Sequence, residues 1–242
     1  MRISIVIPAF NEAKLIGATL AAARAAGAAF TDAGWACELV VCDNNSTDET
    51  GALARAAGAQ VVFEPVNQIA RARNAGASAA TGDWLVFVDA DSRVNRELLA
   101  EVAEVIRGGQ HLAGGSTLRL DHAPWWTSAF VHGWHTISRV AHWAAGSFLF
   151  VKADAFREVG GFNQALYASE EIDLSQRLNR LARRRGLRPM RILTAHPLIT
   201  SGRKAQLYSL GEHARFMAKA VLTLGRSLNR REACPIWYDG RR

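Results

Sequence analysis

Along the first ninety positions, apolar residues fall into short β-branched runs separated by stretches of helical spacing. "ISIVI" (3–7) reads as a buried strand, since a strand covered on both faces needs no polar alternation. "NEAKLIGATLAAARAAG" follows as a helix, with Leu15, Ile16 and Leu20 at helical spacing, Asn11 as the expected N-cap and Gly27 as the stop. "ELVVC" (38–42) is the second strand. After it, Ser46 and Glu49 stand at capping-box spacing, which predicts a helix start in "DNNSTDETGALARAAG". "QVVFE" (60–64) is the third strand, "NQIARARNAGASAATG" an alanine-rich helix ending near Gly82, and "WLVFV" (84–88) the fourth strand. Such alternation with short connections implies an α/β fold with a mostly parallel sheet flanked by helices. Ligands in these sheets bind beyond the carboxyl ends of the strands. Asp43 and Asp89 each follow a predicted strand directly and so belong on that rim.

The pattern loosens in the second half. "RELLAEVAEVIRGG" is an amphipathic helix, and "HLAGGSTLRL" is read as a strand. "WWTSAFVHGWHTISRVAHWAAG" holds four of the seven tryptophans and three histidines. "SFLFVKADAFREVGGF" reads as a strand, a short helix and a turn, "SEEIDLSQRLNRLARRRG" as a helix and "MRILTA" as a strand. The last forty residues look helical, with an amphipathic stretch in "QLYSLGEHARFMAKAVLTLGRSL".

Composition narrows the class. With 49% hydrophobic and 21% charged residues, the 242-residue chain carries enough apolar side chains for a full core. The net charge of +7 suits phosphorylated ligands, an anionic membrane surface or nucleic acid. Much of that charge lies in "RLNRLARRRGLRPMR" and the C-terminal segment, where it reads as solvated faces. Cys37, Cys42 and Cys234 fit neither a zinc ribbon nor a disulfide framework, which points to a reducing compartment. The N-terminal apolar run is too short for a signal peptide, and no stretch approaches the ~18–20 apolar residues of a spanning helix. A cytoplasmic location is expected, with attachment to the inner face of the membrane left open.

Candidate chemistry centres on "GDWLVFVDADS". If the strand continues, Asp89 and Asp91 point the same way, because side chains alternate along a strand. Two carboxylates on one side repel unless a cation joins them, and Mg²⁺ or Mn²⁺ is commonly held between one or two carboxylates and substrate phosphates. A polar turn would explain the pair equally well.

Taken together, "VIPAFNE", "VCDNNSTDET", "ARARNAGASAATGDWLVFVDADS" and the later "GGF" and "SEEID" resemble the family 2 glycosyltransferases of the GT-A fold, from residue 3 to about 186. The resemblance implies transfer of a sugar from a nucleotide-diphosphate donor, a UDP-sugar above all, to an acceptor hydroxyl with inversion. Pro8, Ala9, Asn11 and Glu12 match the family's first loop, which contacts the nucleotide. Asp43 matches the acid that accepts a hydrogen bond from the base. Arg71, Arg73 and Asn74 match a region where the family places a basic residue near the nucleotide or its phosphates. Asp89, Ala90 and Asp91 match the metal-binding DxD motif, for Mg²⁺ or Mn²⁺. Some family members complete the metal shell with a downstream histidine, which makes His196 a candidate.

Glu170, Glu171 and Asp173 match the acidic motif that opens a helix on the acceptor side, with Glu where the commoner form has Asp at the second position. At about 100° per residue, Leu174, Leu178 and Leu181 form the buried stripe. Glu170 and Glu171 flank it and Asp173 lies further round; a flanking, partly desolvated carboxylate gains basicity. The match to the family's base position favours Glu171, with Glu170 and Asp173 supporting it. All three would also complement the helix dipole. Arg203 and Lys204 read either as cations that meet the diphosphate from a loop or as a solvated basic pair. The Trp125–Trp143 segment offers aromatic faces for a sugar, lipid or small-molecule acceptor, or simply for core packing.

The expected organisation is a single domain over 1–242, with a nucleotide-sugar-binding half at 1–92, an acceptor-binding half at 93–205 and a helical segment at 206–242. Two other classes stand beside the transferase: a nucleotidyltransferase, and a non-catalytic nucleotide- or nucleic-acid-binding module. "PAFNEAK" lacks the glycines of a nucleotidyltransferase loop, and no nucleic-acid module is recognisable, so no nucleic-acid partner is expected.

Overall fold

A computed structural model describes residues 1–124, 126–223 and 225–238. The strands are β1 (Arg2–Ala9), β2 (Ala36–Asp43), β3 (Gln60–Phe63), β4 (Trp84–Val88), β5 (Ser92–Arg93), β6 (Ala113–Asp121), β7 (Phe148–Lys152) and β8 (Arg191–Ser201). The helices are α1 (Ile16–Ala26), α2 (Ala28–Asp32), α3 (Thr50–Ala56), α4 (Ile69–Ala79), α5 (Arg96–Gly108), α6 (Thr127–Ala141), α7 (Ala153–Glu158), α8 (Glu170–Arg184), α9 (Arg203–Leu207), α10 (Leu210–Leu222) and α11 (Pro235–Tyr238).

All eight strands join one sheet in the order β3-β2-β1-β4-β7-β6-β8-β5. β1 to β4 run parallel, as the alternating pattern predicts. β7 then enters antiparallel between β4 and β6, β8 runs parallel to β6, and the short β5 closes the edge antiparallel to β8. The reversal at β7 brings the start of a second-half strand beside the end of β4.

Each face of the sheet carries its own apolar layer. Ile3, Ile5, Ile7, Val41 and Val86 pack with α1, α2 and α5 through Leu20, Phe30, Leu98 and Val102. Val6, Val40, Leu85 and Phe87 pack with α4, α7 and α8 through Ala70, Phe156, Leu174, Leu178 and Leu181. The leucine stripe read from the sequence is therefore the buried face of α8. Among the described residues, no helix is long and apolar enough to cross a membrane.

Several local readings differ. Asn11 does not cap α1, whose N-cap is Leu15. Instead Asn11 adopts a left-handed backbone (φ 52°) and its Oδ1 accepts the Thr47 N–H at 2.8 Å. Ser46 and Glu49 form no capping box: the Ser46 hydroxyl accepts the Asn11 N–H at 3.0 Å, and Asp48 accepts the Thr50 N–H at 3.0 Å. In both cases contacts between two loops displace the local cap. β8 runs on to Ser201, six residues beyond its expected end. The C-terminal amphipathic stretch breaks before α10 rather than forming one helix.

Candidate active site

The rim at the ends of β1, β2 and β4 is built by loops that hold one another. The β1–α1 loop meets the β2–α3 loop through the Asn11 contacts, through the Glu12 N–H to Thr50 Oγ1 at 2.8 Å, and through the Ala13 N–H to Asp48 Oδ2 at 3.1 Å. Pro8 and Ala9 end β1 in register with Cys42 and Asp43. Asp43 accepts the Ser46 N–H through Oδ1 at 3.0 Å. Its neighbour Asn44 is 3% exposed and organises the next loop. The Asn44 amide donates to the Glu64 and Val66 carbonyls and accepts the Gln68 N–H. Nothing in the local pattern pointed to this role beyond an asparagine after a strand.

Asp89 and Asp91 sit where β4 ends, yet not as strand neighbours. The Ser92 N–H bonds back to the Asp89 carbonyl at 3.0 Å, so the chain turns through Ala90, whose carbonyl is held by Thr19 Oγ1 at 2.7 Å. The Asp89 N–H bonds to the Ser147 carbonyl, which ties this turn to the Gly146–Ser147 turn before β7. Asp91 lies 3.9 Å from an Arg203 nitrogen, and the same nitrogen donates to Glu12 Oε1 at 2.7 Å. Arg203 thus stands between the first loop and the acid pair, its charged form favoured by both carboxylates despite burial. The Lys204 side chain and Trp125 lie outside the described residues.

The three acids that open α8 divide. Arg73, 3% exposed, donates through Nη1 to Glu170 Oε1 at 2.6 Å, and through Nη2 to Asp89 Oδ1 at 2.9 Å and the Gly146 carbonyl at 2.7 Å. Its guanidinium carbon lies 5.2 Å from the centre of the Phe162 ring. Glu170 is consequently a buried, paired carboxylate. Glu171 lies beside the same turn: a Cβ at Gly146 would come within 3.4 Å of both the Glu171 carboxyl carbon and Arg73 Nη2. Burial, reinforced by the like charge of Glu170 and opposed by Arg73, pushes Glu171 from 4.5 up to about 8. Desolvation is the largest contribution, as the sequence reading expected for a carboxylate flanking the apolar stripe.

Four candidates are placed elsewhere. Asp173 is held by Arg177, one turn further along α8, through contacts of 2.8 and 2.6 Å. Arg71 pairs with Glu64 at 3.1 Å and Gln164 at 3.2 Å. Asn74 clamps the turn at Phe162, donating to its carbonyl and accepting its N–H. That turn needs glycine: Gly161 has φ +68°, and a Cβ there would lie 2.7 Å from Asn74 Oδ1. His196 is not brought to the acid pair. It lies within β8, half exposed, with Nδ1 2.6 Å from Glu101 of α5.

A metal-ion site of Asp89 and Asp91 fits the chemistry of hard cations as a partial donor set. Among the described residues no three histidine, cysteine, aspartate or glutamate side chains cluster as metal ligands. Two carboxylates alone match Mg²⁺ or Mn²⁺ sites in which substrate phosphates supply further oxygens.

The C-terminal segment packs against this cluster, which the sequence did not reveal. The Tyr238 hydroxyl accepts the Ile69 N–H at the start of α4, and Tyr238 packs edge-on against Tyr167 with ring centres 5.4 Å apart. The Tyr167 N–H bonds to the Leu228 carbonyl at 2.8 Å, and Cys234 is fully buried. Burial raises the Tyr238 hydroxyl above its ordinary range, with the Glu170 charge adding to the effect.

Residues 4–159 match the family model described as glycosyl transferase family 2. An uncharacterized glycosyltransferase of Mycobacterium tuberculosis is 36% identical over 113 residues, 46% of this chain and 47% of that protein, so the match spans about half of the relative's length. Among solved structures, the Pyrobaculum calidifontis mannosyltransferase PcManGT, in complex with GDP-Man and Mn²⁺, is similar with a TM-score of 0.67 at 19% identity, over 98% of this chain and 67% of that one. The Mycobacterium tuberculosis glucosyl-3-phosphoglycerate synthase, in complex with Mn²⁺, UDP and phosphoglyceric acid, gives a TM-score of 0.62 at 21% identity, over 93% and 78% of the two chains.

Proposed function

Because the chain belongs to glycosyl transferase family 2 and has the GT-A fold, we propose that it transfers a sugar from a nucleotide-diphosphate donor to an acceptor hydroxyl with inversion at the anomeric carbon. One observation carries this reading: Asp89 and Asp91 at the end of β4 and the basic Glu171 at the start of α8 share one rim, joined through Arg73 and the Gly146 turn.

The donor nucleotide lies over the first loop, with Pro8, Ala9, Asn11 and Glu12 on one side. The exposed edge of Asp43 accepts a base N–H, as a uracil imide would provide. Asp89 and Asp91 hold a divalent cation, Mg²⁺ or Mn²⁺, which supplies charge stabilisation to the departing diphosphate. Arg203 adds a fixed positive charge on the same side. Support for donor and metal comes from the GDP-Man, UDP and Mn²⁺ found with the similar structures.

Glu171 accepts the proton of the acceptor hydroxyl as its oxygen attacks the anomeric carbon. The bond from that carbon to the diphosphate oxygen breaks on the opposite face, and nucleoside diphosphate leaves. A carboxylate raised to about 8 is a stronger base than an ordinary glutamate, tempered by a backbone hydrogen bond and by Arg73, which two other acids already share. The Ser147 hydroxyl is buried with no partner among the described residues, a group that a substrate hydroxyl would satisfy. The acceptor is a sugar, lipid or small molecule bearing such a hydroxyl.

The test is a screen of UDP- and GDP-sugars with Mg²⁺ or Mn²⁺, read as nucleoside diphosphate release with and without candidate acceptors. Metal-dependent release from one donor supports the proposal. Release of pyrophosphate instead would assign nucleotidyl transfer.

A further inference from the structure

We propose that Arg73 is a positioning residue and not a donor ligand: one guanidinium ties the donor-side acid Asp89 to the acceptor-side acid Glu170, and so fixes Glu171 relative to the rim carboxylates. The roles of those acids rest on the proposed function; the tie itself rests on geometry. Its three partners come from three elements: the end of β4, the turn into β7 and the first residue of α8. Both terminal nitrogens are spent on protein acceptors, and Nε is buried without a partner among the described residues. The Phe162 ring covers the guanidinium, and Asn74, one residue further along α4, holds the Phe162 backbone at both N–H and carbonyl. A side chain so enclosed is poorly placed to meet a diphosphate. It is well placed to transmit the position of one acid to another.

The chemistry requires arginine. A planar fork can bridge two carboxylates through separate nitrogens, whereas one ammonium on a flexible stem is a single point charge. Without the bridge Glu170 is left as a buried, uncompensated charge.

The test compares the full chain with Arg73→Met, Arg73→Lys and the double variant Arg73→Met/Glu170→Gln. Three readouts are taken: thermal melting, calorimetric affinity for UDP with Mn²⁺, and nucleoside diphosphate release at saturating donor. Arg73→Met should melt below wild type, and the double variant should regain most of the loss because the stranded charge is gone. Both should keep UDP–Mn²⁺ affinity within about threefold. The double variant should still turn over at least ~100-fold slower, as expected when reacting groups are displaced by about an ångström. Arg73→Lys should bind normally and turn over at least ~10-fold slower.

More than about tenfold loss of UDP–Mn²⁺ affinity in the double variant would make Arg73 a donor ligand and overturn the inference. Recovery of turnover together with melting would reduce it to a folding ion pair, which also overturns it. If wild type releases no nucleoside diphosphate from any donor, the proposed function fails separately. Melting then still decides the tie: a double variant no more stable than Arg73→Met removes it.

Discussion

Replacing Glu171 by glutamine should make the protein more stable and nearly inactive, and the gain in stability should depend on pH. In the folded chain this carboxyl is raised from 4.5 to about 8 by burial and by the charge of Glu170. The folded state therefore holds its proton more tightly than the unfolded chain. That contribution is fully present below 4.5 and is lost as pH rises through about 8. Across the whole interval it amounts to roughly 5 kcal/mol, at 1.36 kcal/mol per pH unit. By pH 7 the unfolded carboxyl has been ionised over about 2.5 units, so roughly 3 kcal/mol has gone. The group keeps some contact with solvent, and we take about half, ~1.5 kcal/mol. Glutamine has no proton to lose. Glu171→Gln should then melt about 3–6 °C above wild type at pH 7, with the gap closing near pH 4. Turnover should fall at least ~10²-fold. In wild type, rate at saturating donor should climb with pH toward about 8, with a midpoint drawn down when a cation is bound nearby. Thermal scans at pH 4, 7 and 8.5, paired with a nucleoside diphosphate assay, measure all three. A melting difference independent of pH, or turnover near wild type, would refute the reasoning and pass the base role to Glu170 or Asp173.

Asp91→Asn should weaken UDP binding in the presence of Mn²⁺ at least ~10-fold by calorimetry, while binding without metal changes little; equal affinity in Mn²⁺ would remove Asp91 from the metal site. His196→Ala should leave that affinity unchanged and cost under ~1 kcal/mol of stability, since only a half-exposed contact to Glu101 is lost; a fall in Mn²⁺-dependent binding would return the histidine to the site. Asn44→Ala should cost about 2–4 kcal/mol in urea denaturation, because the Glu64 and Val66 carbonyls and the Gln68 N–H lose their buried partner together; a cost under ~0.5 kcal/mol would mean that the loop holds without it.

The parallel half of the sheet was legible because β1, β2 and β4 are largely apolar runs, the last two ending in acids, a pattern set by burial on both faces. The α8 stripe was legible for the same reason, and it placed Glu170 and Glu171 beside it as partly desolvated; only the match to the family's base position singled out Glu171. Asn11 and Ser46 were misread because each found its partner 35 residues away in the other loop, at a distance that local capping rules do not see. The i, i+2 argument for Asp89 and Asp91 assumed a strand that in fact turns at Ala90. Arg73 could be matched to a motif, but its role depends on Glu170, 97 positions later, and no periodicity encodes that. His196 followed a strand in the sequence reading; with β8 running on to Ser201, the residue falls inside the strand and away from the rim.

The contacts of Tyr238 have a consequence for how the protein is made. β1 to β4 have all left the ribosome once residue 88 is out, and by then the Ile69 amide at the head of α4 is already waiting for its hydroxyl partner 169 positions later. At about 5–20 residues per second, the interval between residue 88 and residue 238 is roughly 8–30 s. Throughout it the nascent chain carries the parallel part of the sheet, with Arg73 and Asp89 present but the wall formed by Leu228, Cys234 and Tyr238 still missing. Completion of this wall is thus a late event of translation, and a chain stalled before residue 228 would lack it beside Arg73 and Glu170.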